Sequence, residues 1–143
     1  MAWTPKAFAM LLSSALVACA AGCSGSSEVV VNKHASHVRK LTNLYTMASV
    51  KLRRPPRDEQ EFKQTLATLE VKPEKYEVGS IDELFTSERD GQPLNVVYGA
   101  PPKGSDVVVY EQAGVGGKRL VGHKIGMIEE LDDADFSALS LAK

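Results

Sequence analysis

Two cysteines, Cys19 and Cys23, carry the only thiols of the 143-residue chain, and they lie four positions apart near its start. A thiol can form a disulfide or accept a covalent modification. A disulfide here would close a very short loop in a segment rich in glycine and serine, so it would constrain little of the unfolded chain. The spacing therefore favours modification of a thiol over cross-linking of the fold.

The residues before Cys19 have the layout of a signal peptide. Met1–Lys6 is short and carries one cation, and Ala7–Ala18 is an apolar run interrupted only by two serines. Small residues follow at the exit, as in a cleavable secretory signal. The run is too short for a stable transmembrane helix, so we predict that residues 1–18 are a signal peptide.

The motif Leu16–Cys19 (LVAC) resembles the lipobox of bacterial lipoprotein precursors. In that family the cysteine thiol takes a diacylglycerol and a dedicated peptidase cuts just before it. The resemblance implies lipidation of Cys19, palmitate among the acyl chains, and attachment to the cell membrane. Cys23 is the alternative anchor in a weaker match, and an ordinary secretory signal cut after Ala20 is a third possibility. No aspartate follows either cysteine, which in diderm members of the family favours the outer membrane.

The remaining sequence predicts a flexible tether and one domain. Residues 19–32 hold the anchor site and Ser24–Ser27, a linker-like stretch. Residues 33–143 are long enough for one small domain. Without Lys6 the chain has 16 basic and 18 acidic residues, a net charge of −2, which argues against binding to nucleic acid.

Charge is unevenly distributed along the domain. Residues 33–57 include seven lysines and arginines and no acid. This run predicts contact with anionic lipid head groups or with an acidic envelope polymer. The alternative is a solvated helix face balanced by acids elsewhere in the fold. The predicted contact residues are Arg39, Lys40, Lys51, Arg53, Arg54 and Arg57.

Other chemical groups of the sequence do not assemble into a catalytic pattern. Gly114–Arg119 lacks the spacing of a phosphate-binding loop and predicts a hairpin turn. His34 and His37 share a helix face without a third metal ligand, and His123 is isolated. The acids of Glu129–Asp135 follow a strand and can cap a helix. We therefore predict a non-enzymatic protein with no catalytic residue, metal or cofactor.

The order of the predicted elements indicates an α+β domain. We predict N-terminal helices packed on a small three- to four-stranded antiparallel meander, followed by a short C-terminal helix. Apolar residues at helical spacing predict a first helix over Asn32–Leu52, and Asp58 can cap a second. Ser80–Glu83 matches a capping box. Asp132 or Asp133 can cap the last helix. The predicted strands are Leu94–Tyr98, Asp106–Glu111, Lys118–His123 and Met127–Leu131.

Three stretches are similar to small uncharacterised secreted proteins and lipoproteins of bacteria: SERDGQPLNVVYG, VVVYEQAGVGGKR and GHKIGMIEELDDADF. The resemblance covers about Arg89–Phe136. More distantly, this segment resembles the heads of type IV pilin-like pseudopilins, in which a long helix packs on a small antiparallel sheet. The last hairpin of those heads often carries Asp-Gly, where this chain has Ile125-Gly126. The resemblance implies, as an alternative, an accessory subunit of a secretion or filament system. An unrecognised hydrolase is the remaining alternative.

Overall fold

A computed structural model describes residues 36–139 and Leu141 of the chain. The predicted signal peptide and both cysteines lie outside these residues. The predicted α+β class is confirmed: helices pack with a four-stranded antiparallel sheet, and a short helix follows it. The elements are α1 (His37–Leu52), α2 (Glu59–Thr68), β1 (Leu94–Val96), β2 (Val107–Glu111), β3 (Lys118–His123), β4 (Ile128–Asp132) and α3 (Asp133–Ala138).

Helix α1 is amphipathic and buries one side. The hydroxyl of Ser36 accepts a hydrogen bond from the Arg39 backbone amide at the first turn, and Arg53 ends the helix in the left-handed region with φ of 57°. The apolar residues on its inner side are at most 2% exposed: Val38, Leu41, Leu44, Tyr45 and Ala48. The helical spacing of these residues therefore gives α1 one buried side.

Helix α2 packs against α1 through Phe62, which is completely buried. Its ring meets the ring of Tyr45 edge to face, with centroids 5.7 Å apart. Asp58 caps the helix as predicted, since its Oδ1 accepts from the Glu61 amide at 2.8 Å. The capping box predicted at Ser80 is wrong in detail: Ser80 makes no side-chain capping bond, and Glu83 accepts from Gly79 instead.

The sheet is a meander in the order β1-β2-β3-β4, and α1 lies on one of its faces. The approach is closest at Gly122, where a Cβ atom would overlap the Thr42 hydroxyl. Because side chains alternate along a strand, Val121 points to the opposite face from Gly122. Val121 is completely buried there and lies outside the core cluster that includes the α1 residues. Val108 does belong to the α1 core.

Helix α3 covers part of the opposite face of the sheet. Asp132 caps it by accepting from the Asp135 amide at 2.8 Å, which resolves the two predicted alternatives. The Phe136 ring lies 5.3 Å from the Tyr110 ring, and the Arg119 guanidinium lies 4.4 Å from the same Phe136 ring. The acids that begin α3 therefore serve a helix terminus that is attached to the sheet.

Candidate functional site

The six predicted contact residues do not share one environment, and Lys40 is the clearest exception. Its residue is 8% exposed, and its Nζ donates a hydrogen bond to the Tyr76 carbonyl at 2.8 Å. The lysine stem packs between helix and loop while the amine reaches a polar partner. The outward placement expected for Lys40 is therefore wrong, because its helical position lies next to the buried side of α1.

Arg54 and Arg57 are paired with one carboxylate, that of Glu61. Two nitrogens of Arg54 lie 2.6 and 2.8 Å from the two Glu61 oxygens, a bidentate arrangement. Arg57 contributes its backbone amide at 2.7 Å and its guanidinium at 3.3 Å. The Arg54 hydrogen bonds, followed by the Arg57 amide, lower the pKa of Glu61 to about 2. For these two arginines the fold supplies the balancing acid.

Arg39, Lys51 and Arg53 are exposed, and none of them forms an ion pair with another residue in the described part of the chain. Arg39 and Lys51 belong to the outer side of α1, and Arg53 follows at its end. The side chains of these three residues are therefore accessible to an anion outside the domain. The exposed residues of that outer side are Arg39, Asn43, Met47, Val50 and Lys51.

A fourth cation, Lys124, joins this surface from the turn between β3 and β4. The Thr46 hydroxyl of α1 lies 3.2 Å from the Lys124 carbonyl, which holds the turn beside the helix. Lys124 is exposed and has no ion pair among residues 36–139. Val50, Arg53 and Lys124 line one shallow depression of about 200 Å³. We call Arg39, Lys51, Arg53 and Lys124 the basic face.

Sequence reasoning missed Lys124 because it is more than sixty positions away from the basic run. The signal that could have found this turn is its composition. Turns favour polar residues, glycine and proline, yet Ile125 and Met127 flank Gly126. Ile125 is 78% exposed and Met127 47%.

His123 has carboxylates near both ring nitrogens, in contrast to the isolated residue expected. Its Nδ1 lies 2.8 Å from an Asp106 oxygen, and its Nε2 lies 3.3 Å from an oxygen of Glu129. The residue is 5% exposed; Asp106 satisfies Nδ1 of the buried ring, whereas Nε2 is buried and makes no hydrogen bond with the described residues. Within residues 36–139 no group of three histidine, cysteine or acidic side chains is arranged to hold a metal ion.

Glu111 is the second buried polar group of note and is completely inaccessible to solvent. Its two oxygens accept hydrogen bonds of 2.8 Å from the Ser87 hydroxyl and the Leu120 amide. Arg89 lies 3.4 Å from Glu111 and 3.0 Å from Glu130, so it bridges two strands. This cluster fastens the loop before β1 to the sheet, and its carboxylate is occupied by protein donors.

Comparison with protein-family models, curated proteins and solved structures finds no match to this chain. None of the helices in the described residues is long and apolar enough to cross a membrane.

Proposed function

We propose that the protein is a lipid-anchored component of the bacterial cell envelope whose folded domain is a non-catalytic module that contacts an anionic surface through the basic face. The observation that carries the second part is the contrast among cations. Arg54 and Arg57 are both paired with the single carboxylate of Glu61, whereas the other four cations are exposed and have no acidic partner in the described residues: Arg53, Lys51, Arg39 and Lys124. The lipobox resemblance carries the first part.

The expected contact is weak by itself and effective near a membrane. Each lysine or arginine close to an anionic surface contributes about 1 kcal/mol. Acyl chains contribute about 0.8 kcal/mol per buried methylene, so the anchor supplies most of the attachment. The chain from Cys19 to Ser36 can span at most about 60 Å when extended. That limit exceeds the length of α1, about 24 Å, so chain length alone does not prevent the basic face from meeting the same membrane.

Metabolic labelling with a fatty-acid probe tests the anchor. The natural chain should take up the label, and Cys19→Ser should lose it and accumulate uncleaved precursor. Full labelling of Cys19→Ser combined with loss in Cys23→Ser would move the anchor to Cys23. An unlabelled natural chain would refute the lipoprotein assignment.

Charge reversal tests the contact surface. The unlipidated mature chain, residues 19–143 with both cysteines replaced by serine, should bind vesicles with anionic lipid, and binding should weaken as salt screens the charges. Arg53→Glu combined with Lys124→Glu should remove most of this binding. The matched control is Lys72→Glu with Lys75→Glu, two exposed lysines outside the basic face, which should bind like the natural chain. Equal loss in both double variants would show that net charge matters and the basic face does not.

A further inference from the structure

Two large apolar side chains are exposed beside the basic face. Ile125 is 78% exposed and Val50 is 73% exposed, the two highest values among the exposed large hydrophobic residues. Single exposed apolar residues are ordinary on protein surfaces. These two are unusual because each is next to a cation of the basic face, on α1 in one case and on the β3–β4 turn in the other.

The fold brings the two side chains to the same region. Thr46, one turn before Val50 on α1, is hydrogen-bonded to Lys124, the residue before Ile125. Val50 and Lys124 line the same depression with Arg53. Helix and turn therefore present apolar groups and positive charges together.

Local structure does not require either residue to be apolar. Valine is a weaker helix former than alanine or a charged straight-chain residue, and Val50 makes no buried contact in return. Ile125 lies in a turn, where polar residues are usual. Exposed apolar groups among cations are the composition of helices that lie in the interface of an anionic bilayer.

We propose that the basic face docks on an anionic lipid bilayer, with Val50 and Ile125 inserted at the level of the head groups. The proposal depends on the proposed function and narrows it from any anionic surface to lipid. An acidic polymer in water offers charge to Arg53 and Lys124 but no apolar layer to Val50 and Ile125. A bilayer interface offers both.

The test compares Val50→Gln/Ile125→Gln with the parent unlipidated mature chain. The described domain has its own core of eleven buried residues in one cluster, and neither substitution touches it. The probes are vesicles of phosphatidylglycerol and phosphatidylcholine, and soluble polyglutamate. The double variant should bind the vesicles about tenfold or more weakly, because its apolar contribution is gone. Its binding to polyglutamate should equal that of the parent.

Val115→Gln is the matched control, since Val115 is a 46% exposed residue in the β2–β3 turn. This variant should bind vesicles like the parent. Unchanged vesicle binding in Val50→Gln/Ile125→Gln would overturn the insertion proposal, and equal polyglutamate and vesicle binding would then assign the face to an acidic polymer. A parent chain that binds neither probe would refute the proposed function itself.

A second measurement does not depend on the glutamine variants being folded. In the unlipidated mature chain, a polarity-sensitive fluorophore on Ile125→Cys should shift to shorter wavelength when anionic vesicles are added. The same fluorophore on Val115→Cys should not shift. Equal spectra at the two positions, with vesicles bound, would also overturn insertion.

Discussion

The two sides of α1 differ in how far the fold accounts for their residues. On the inner side Leu41 and Leu44 are fully buried and belong to the core cluster. On the outer side Met47 and Val50 are apolar but exposed, at 45% and 73%. Folding explains the first set. For the second set, with its cations, we propose a contact outside the domain.

Neighbours along the helix make the same point about charge. Arg39 is exposed and Lys40 is buried; Arg53 is exposed and Arg54 is held by Glu61. By residue type alone, the two members of each pair are equivalent cations. They differ in the side of the helix on which they lie and in whether another element places an acceptor beside them. A run of positive charge in the sequence therefore includes cations that are bound within the fold and cations that are exposed to solvent.

The largest expected contrast between the two sides is in stability. Leu41→Ala should lower the free energy of unfolding by about 2–5 kcal/mol, because it removes fully buried atoms and leaves a cavity. Val50→Ala, on the same helix, should change it by less than about 0.5 kcal/mol. Urea unfolding measures both. Similar values for the two variants would mean that α1 is not docked as described.

A smaller loss is expected where the inner side of α1 comes closest to the sheet. Gly122→Ala would place a methyl group against the Thr42 hydroxyl, which is itself completely buried. Overpacking of this kind costs about 1–3 kcal/mol. Thermal unfolding measures the loss. Combining the change with Thr42→Ala, which removes the hydroxyl that the new methyl group would overlap, should cost less than the sum of the two single changes; a simple sum would place the strain elsewhere.

The fold was largely predictable because its signals are local. The apolar stripe of α1, the cap at Asp58 and the Gly114–Gly117 turn are each contained in a short window of sequence. The bounds of β3 were predicted correctly, and ends of the other strands were misplaced by one or two residues, for example Tyr98 instead of Val96 for the end of β1. Hydrogen bonding between strands sets these ends, and alternation within one strand does not reveal it.

The candidate site was predictable only in part, because its decisive contacts are non-local. Nothing in the basic run indicates that Tyr76 offers a carbonyl to Lys40, or that Glu61 has the geometry to bind two arginines. The meander brings Lys124 beside Thr46 of α1, and its neighbour Ile125 is exposed there. Apolar periodicity predicts which side of a helix is buried, but it does not predict which residues from the rest of the chain lie beside that helix.

A third prediction distinguishes Arg39 from Lys40. Lys40→Met should cost about 0.5–1.5 kcal/mol, since it removes the hydrogen bond to the Tyr76 carbonyl while keeping most of the apolar stem. Arg39→Met should leave stability nearly unchanged. The order reverses for binding to anionic vesicles, which Arg39→Met should weaken and Lys40→Met should not. Weaker binding by Lys40→Met would return that lysine to the contact surface.

The smallest expected effect is the pH dependence that Glu61 contributes through its contact with Arg54. Folding lowers its pKa from 4.5 to about 2, so the folded state favours the carboxylate. A lowered pKa means that the stabilisation is fully present above pH 4.5 and is lost as the pH falls toward 2. The side chains of Arg54 and Arg57, which both pair with Glu61, are 38% and 73% exposed. Solvent screening therefore keeps this contribution to stability small.

Urea unfolding of the natural chain and Glu61→Gln, at several pH values between 7 and 2.5, measures this contribution. The difference between the two should be constant from pH 7 to about 5 and should shrink below 4.5, because protonated Glu61 and glutamine are both neutral. When Arg54→Gln is introduced into both proteins, the pH-dependent difference between them should become smaller, since Arg54 is the main cause of the pKa shift of Glu61. Arg53→Gln, one residue earlier and without an acidic partner in the described chain, should leave it intact. A difference that persists to pH 2.5 would mean that Glu61 stabilises the junction of α1 and α2 without its charge.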